Sequence, residues 1–104
     1  MKNSKHLSKY LIRSKWIKKN NEEIITFLDQ GRILYENLSS KEIRIDEYYV
    51  ISNSQAVIKW TIDSFISIID FNEQLSEFIE NRSKEFSWRL VSLEFKNLNS
   101  KKKD

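Results

Sequence analysis

The sequence predicts an α+β fold, mainly antiparallel β: a leading helix, a β-meander curling towards a small barrel, one late helix and a closing strand. Three observations carry that expectation. The middle of the chain alternates apolar and polar residues with a period of two and is rich in Ile, Val and aromatic residues, the pattern of half-buried strands. Turn residues interrupt it at near-regular intervals, as in an all-β meander. Near the N-terminus, and again after residue 70, the spacing lengthens to three and four, which points to helices.

Residues 4–14 form the leading helix in this reading. Leu7, Tyr10, Leu11 and Ser14 share one face, and Lys5, Lys9 and Arg13 make a basic stripe away from it. Trp16 and Ile17 open the next element, and Asn20-Asn21 marks a turn. Residues 23–28 and 32–36 read as a hairpin around Asp29-Gln30-Gly31, with the single glycine where a tight turn needs positive φ. A helix over 22–38 competes, because Ile24, Leu28, Tyr35 and Leu38 also fit one helical face. A glycine inside it would cost ~1 kcal/mol, which favours the hairpin.

Residues 43–51 alternate, with Ile43, Ile45, Tyr49 and Ile51 on the side read as inward and Arg44, Asp46 and Tyr48 on the other. Ala56, Ile58, Trp60 and Ile62 alternate against Val57, Lys59 and Thr61, and Phe65–Ile69 is a third short strand. Asp70 and Glu73 resemble a capping box. Leu75, Phe78, Ile79 and Arg82 follow at helical spacing, so a helix is expected over 72–84. Trp88, Leu90 and Ser92 alternate with Arg89, Val91, Leu93 and Phe95 in the closing strand. Residues 1–100 are read as one domain and 101–104 as a flexible basic tail, Lys101–Lys103 included.

A chain of 104 residues has room for one domain, burying roughly 65% of its unfolded surface. Its 12% of aromatic residues, three Trp and six Phe among them, argue against wholesale disorder. The absence of cysteine excludes a disulfide framework and thiolate chemistry. No run reaches the ~18 apolar residues of a helical span, and no apolar leader is visible, so a cytoplasmic protein is expected.

The net charge of +3 conceals an asymmetry. Residues 1–20 carry seven Lys/Arg and no acid, residues 21–95 carry seven basic and fourteen acidic residues, and residues 96–104 carry four Lys and one Asp. An acidic body therefore lies between two basic ends. Such ends suit nucleic acid, an anionic surface or an acidic protein; equally, they solubilise the chain or fold back on the body.

Catalytic chemistry finds little to work with. One glycine cannot build a phosphate-cradling loop. No cysteine and a single histidine, His6, exclude Cys/His zinc sites, and a Ser-His-Asp triad would have to use that histidine. Asp46 and Glu47 are adjacent in a strand and point to opposite faces. Asp70, Glu73, Glu77 and Glu80 make an acidic stripe if residues 72–84 are helical, and capping with solvation accounts for it. No catalytic residue, metal site or cofactor is assigned, and the chain is read as a non-enzyme. Trp60, Tyr49 and Trp88 are assigned to the core.

Trp16, the run Ile25-Thr26-Phe27 with Asp29 and Gly31-Arg32-Ile33, and the strands Tyr48–Ile51, Val57–Trp60 and Phe65–Ile69 are together similar to small bacterial lipocalin-like domains, over about residues 15–80. The resemblance implies a meander barrel with no shared catalytic residues. It also implies a small apolar ligand inside, although ~100 residues with short strands leave little interior beyond the side chains. The chain departs from that pattern in its basic ends.

Three functions follow. The first is a non-catalytic module for a protein partner (an inhibitor, immunity-type factor or accessory subunit), suggested by small size, a sheet with edges and patches of both charges. The second is nucleic-acid binding. The residues assigned to a partner or nucleic acid are Lys5, Lys9, Arg13, Lys15, Trp16, Lys18 and Lys19, with Lys101–Lys103 assisting the second reading. The third is the apolar ligand.

Overall fold

The computed structural model describes residues 2–93, with side chains from residue 7 onward. A helix, α1 (Lys2–Leu11), precedes eight strands: β1 (Ser14–Lys18), β2 (Glu23–Phe27), β3 (Arg32–Asn37), β4 (Ile43–Val50), β5 (Gln55–Lys59), β6 (Ile66–Phe71), β7 (Glu77–Glu80) and β8 (Ser83–Leu93). Each strand pairs antiparallel with the next, and β1 pairs with β8, so the meander closes into a barrel. This architecture is compatible with a lipocalin-like fold. Among the described residues every strand pairs on both sides, which corrects the expectation of a sheet with edges.

The hairpin at Gly31 is as the sequence predicts. Gly31 has φ +71°, and Gln30 beside it is also left-handed at 61°. A Cβ on Gly31 would meet the Tyr48 carbonyl oxygen at 3.2 Å, while its own carbonyl accepts from the Tyr48 N–H at 2.9 Å. The hairpin turn is thus tied to β4.

Three expectations are corrected. The leading helix stops at Leu11, because Arg13 takes φ 68° and its N–H donates to the Phe27 carbonyl, turning the chain into β1. Leu7 and Leu11 still face the core, and Ser14 is buried as the first residue of β1.

The late helix over 72–84 is not formed. Asn72 and Leu75 make a turn in which the Asn72 side chain accepts from the Ser76 and Glu77 N–H groups. Asn81 and Arg82, both at positive φ, make a two-residue turn between β7 and β8. Phe78 and Glu80 then point inward two residues apart, where a helix would have paired Leu75 with Phe78 and Ile79. Asp70 caps nothing; it lies in β6 and accepts from the Gln55 side chain at 2.7 Å. The acidic stripe disperses with the helix.

Strand β4 is turned the opposite way to the expectation. Arg44, Asp46 and Tyr48 face inward, and Ile43, Ile45 and Tyr49 face solvent. Partners across a ladder share a face, and Tyr48 pairs with Ile58 while Asp46 pairs with Ile33, both inward. The neighbours therefore set the parity of β4. Ile51 and Ile62 are also exposed, in the turns after β4 and β5, whereas Ala56, Ile58, Trp60 and Trp88 are buried as expected.

Rings fill the middle of the barrel. Trp16 contacts Phe78, Phe71 and Phe27 at centroid distances of 5.1, 5.4 and 6.5 Å, and Phe78 stacks on Trp88 at 5.7 Å. Leu7 and Leu11 of α1 belong to the same core, at the end where β1 begins. Tyr10 secures the helix by donating to the Leu75 carbonyl in the β6–β7 turn at 2.9 Å. Phe95 and Lys101–Lys103 lie outside the described residues.

Candidate functional site

Two places on the barrel depart from what a minimal soluble domain needs. The first is the interior at the end opposite α1. Alternation brings Lys18, Glu23, Tyr35, Arg44, Asp46, Ser67, Glu80 and Trp88 inward there, with Trp60 just beyond β5, so every strand contributes in or beside it. Lys18 Nζ lies 3.3 Å from Glu23 and 3.7 Å from Glu80. Glu80 also accepts from Trp88 Nε1 at 2.9 Å and the Ser67 hydroxyl at 2.8 Å, and Ser67 accepts from Trp60 Nε1 at 2.8 Å. Arg44 pairs with Glu42 at 2.6 Å and Asp46 at 3.2 Å, its guanidinium 3.9 Å from the centre of the Tyr35 ring. Asp46, fully buried, takes two further bonds from the Thr61 N–H and hydroxyl, at 2.7 and 2.8 Å. The Tyr35 hydroxyl donates to Glu23 at 2.7 Å.

At three members of this belt, Glu23, Tyr35 and Arg44, the surroundings stabilise the protonation state each group already has near neutral pH. Burial alone would raise the Glu23 carboxyl, but hydrogen bonds from Tyr35 and Asn20 and the Lys18 ammonium outweigh it and hold the group below its ordinary range. Burial raises the Tyr35 phenol, and the Glu23 carboxylate adds to the shift. Burial opposes the Arg44 charge, yet Glu42 and Asp46 more than restore it. Glu23 and Tyr35 are thus displaced away from neutrality, the reverse of what a general acid or base requires. Among the described residues, no group of three or more His, Cys, Asp or Glu side chains could hold a metal ion.

The second place is the outer wall over β4, β5 and β6. Tyr49, Val57 and Ile68 stand side by side in register across the three strands. The next row is Glu47, Lys59 and Ile66. Beyond it lie Ile45, which pairs with Leu34 of β3, and the β5–β6 connection with Ile62 and Phe65. Ile43, Ile45, Tyr49, Ile62, Phe65, Ile66 and Ile68 are between 44% and 66% exposed. Single exposed apolar residues are ordinary on a protein surface, but a contiguous group marks an interaction face.

The residues singled out from the sequence for a partner or nucleic acid do not form one surface. Lys9 and Arg13 are exposed near α1, with Ile12 and Asp29 around a shallow depression. Lys15 is on the outer wall of β1, and Lys19 is exposed beyond the far end of that strand. Lys18 turns into the belt. Trp16 is wholly buried, its indole N–H donating to Ser14 at 2.8 Å, and offers no face on which a base could stack. Lys5 falls outside the described side chains.

The β4 part of the wall and of the belt was hidden in the sequence by the parity assigned to that strand, and Glu80 by the helix expected over 72–84. The available signal was the pair Tyr48 and Val50, which supply an apolar set on the opposite face from Ile43 and Ile45. No protein-family model, curated protein or solved structure matches this chain.

Proposed function

We propose that this protein is a non-catalytic binding module that engages a protein partner through the outer wall of β4–β6. The observation that carries the reading is the inside-out strand β4, which buries Asp46 and leaves Ile43, Ile45 and Tyr49 in solvent beside Ile66 and Ile68. A monomer gains nothing from that exposure, whereas a docked partner would recover about 25 cal/mol for each Å² of apolar surface covered. The mixed Glu47–Lys59 row within the wall supplies register and orientation to such an interface. Of the residues on which the nucleic-acid reading rests, Lys18 turns into the barrel and Trp16 is buried, while Lys9 and Arg13 are exposed. An apolar guest would have to displace the rings around Trp16.

The test is site-specific photo-crosslinking in the native cell. A photoreactive residue at Tyr49 or Ile68 should capture a protein at one defined mass. The same residue at Lys15 or Arg89, on the β1–β8 side of the barrel, should capture nothing above background. Equal capture from both sides, or none from either, would refute the reading.

A further inference from the structure

Neither the wall nor the belt uses the basic residues at the two ends of the sequence. Barrel closure pairs Ser14, at the start of β1, with Leu93, at the end of β8. The chain therefore enters and leaves the barrel at one end, and α1 packs at that same end. Two basic stretches far apart in sequence are tethered side by side.

The charge of this end is unlike that of the other. Residues 1–13, the connections 28–31, 51–54 and 72–76, and residues 94–104 join the strands at the α1 end; they hold eight Lys/Arg against four Asp/Glu. The connections at the opposite end, 19–22, 38–42, 60–65 and 81–82, hold three of each. In α1, residues 2, 5 and 9, all Lys, fall on the side of the helix away from the buried Leu7 and Leu11. Lys9 and Arg13 are exposed around the depression they share with Ile12 and Asp29. Among the described residues no ion pair within 4.0 Å includes Lys9 or Arg13. The backbone of Arg13 is held by its N–H bond to the Phe27 carbonyl.

The composition of this end selects among polyanions. Among the described residues of these segments, Ile51 is the only exposed large hydrophobic. A membrane surface calls for an apolar set that inserts, and a stable protein interface calls for an apolar centre. No ring is offered for stacking on a base either. Trp16 is buried, and Tyr10 is half-buried with its hydroxyl donated to the Leu75 carbonyl. What is left is positive charge, which holds a phosphate backbone whatever the base sequence. A duplex presents that backbone at the higher charge density and needs no stacking.

We propose that the α1 end of the barrel docks the phosphate backbone of double-stranded nucleic acid, without base specificity, through α1, Arg13 and the basic segment beyond Leu93. This site is separate from the β4–β6 wall, and neither reading depends on the other.

Fluorescence anisotropy of short labelled DNA and RNA duplexes, titrated with the full chain across a salt series, tests it. The expected dissociation constant is roughly 1–100 µM at physiological salt, weakening steeply as salt rises. Binding of either duplex supports the proposal, and the tighter of the two identifies the source of the backbone. Lys9→Gln with Arg13→Asn, which keeps a residue tolerant of left-handed backbone, should reduce the slope of log affinity on log salt by about 2. Lys101→Gln, Lys102→Gln and Lys103→Gln together should weaken binding in the same direction. Lys19→Gln with Lys84→Gln, exposed at the opposite end, should change nothing. All these positions lie outside the core, so unchanged melting temperatures separate lost binding from lost fold. No binding at low salt would overturn the proposal, as would equal losses from the two ends or a preference for single strands. Binding to phosphatidylserine vesicles without binding to either duplex would overturn it in favour of a membrane surface.

Discussion

Strands β4 and β5 are neighbours of similar apolar content, yet they use their side chains in opposite ways. In β5 the apolar set, Ala56 and Ile58, faces inward with Trp60 just beyond, while Lys59 faces water. In β4 the charged pair Arg44 and Asp46 faces inward and Ile43, Ile45 and Tyr49 face water. Strand β5 obeys the hydrophobic effect locally. Strand β4 violates it on both faces, and each violation has its own compensation. Inside, Asp46 is met by Arg44 and Thr61, so the cost of burying a charge is offset by hydrogen bonds. Outside, Ile43, Ile45 and Tyr49 remain about half exposed, and the proposed partner would cover them. The comparison teaches that a strand inverted against its own hydropathy records constraints from beyond the strand.

The largest expected effect comes from the inner face of β4. Asp46→Ala strips Arg44 of its buried partner and leaves the Thr61 N–H unpaired, and should cost about 3–5 kcal/mol in chemical denaturation. Asp46→Asn, which keeps an acceptor, should cost less. On the inner face of β5, Ile58→Ala leaves a cavity and should cost about 2–5 kcal/mol. Both deficits should be nearly indifferent to salt, because Asp46 is fully buried and its pairing with Arg44 is poorly screened. Tyr35→Phe removes the hydrogen bond to Glu23 and should cost about 1.5–3 kcal/mol, the range for a bond to a charged group.

Acid provides a finer probe of the belt. Glu23 is held below its ordinary value of 4.5, so its contribution to stability is complete above that pH and is lost as pH falls through the lowered value. Melting temperature measured down an acid series should decline in that window, and Glu23→Gln should flatten this part of the decline. The smallest effect belongs to the outer face of β4. Ile45→Thr keeps the β-branched shape in solvent and should shift the stability of the isolated monomer by less than about 0.5 kcal/mol. A much larger loss would mean that the wall is buried within the monomer's own fold.

Much of the barrel was legible in the sequence, for reasons that also explain the failures. The Gly31 hairpin was readable because a left-handed residue leaves a local chemical mark. Strand β5 was readable because its alternation agrees with its burial, β8 because Trp88 and Leu90 share the inward side, and the buried face of α1 because Leu7 and Leu11 fall one turn apart; β6 was readable as a β-branched run although Ile66 and Ile68 face out and Ser67 faces in. The late helix was misread because Leu75, Phe78 and Ile79 fit a helical face as well as they fit a turn and a strand. What separates the two is the pair of left-handed residues Asn81 and Arg82, neither of them glycine. The belt was illegible because its members are polar and distant in sequence. Lys18, Glu23 and Glu80 carry no sign of one another until closure sets β1 between β2 and β8. The basic residues from Lys5 to Lys19 looked like one arm because sequence proximity hid the turn at Arg13 and the inward aim of Lys18.

The most direct measurement of the central claim sets the outer isoleucines against the inner ones. Methyl signals of the labelled full chain in extract of the native cell, recorded while a soluble paramagnetic agent is added, report which side chains meet solvent in the associated protein. The docked wall predicts that Ile45, Ile66 and Ile68 are shielded nearly as well as Ile58 and Ile69. They should become bleached when Glu47→Lys disrupts the contact. Outer methyls bleached from the start, at the rate of freely exposed side chains and unchanged by that variant, would contradict the account.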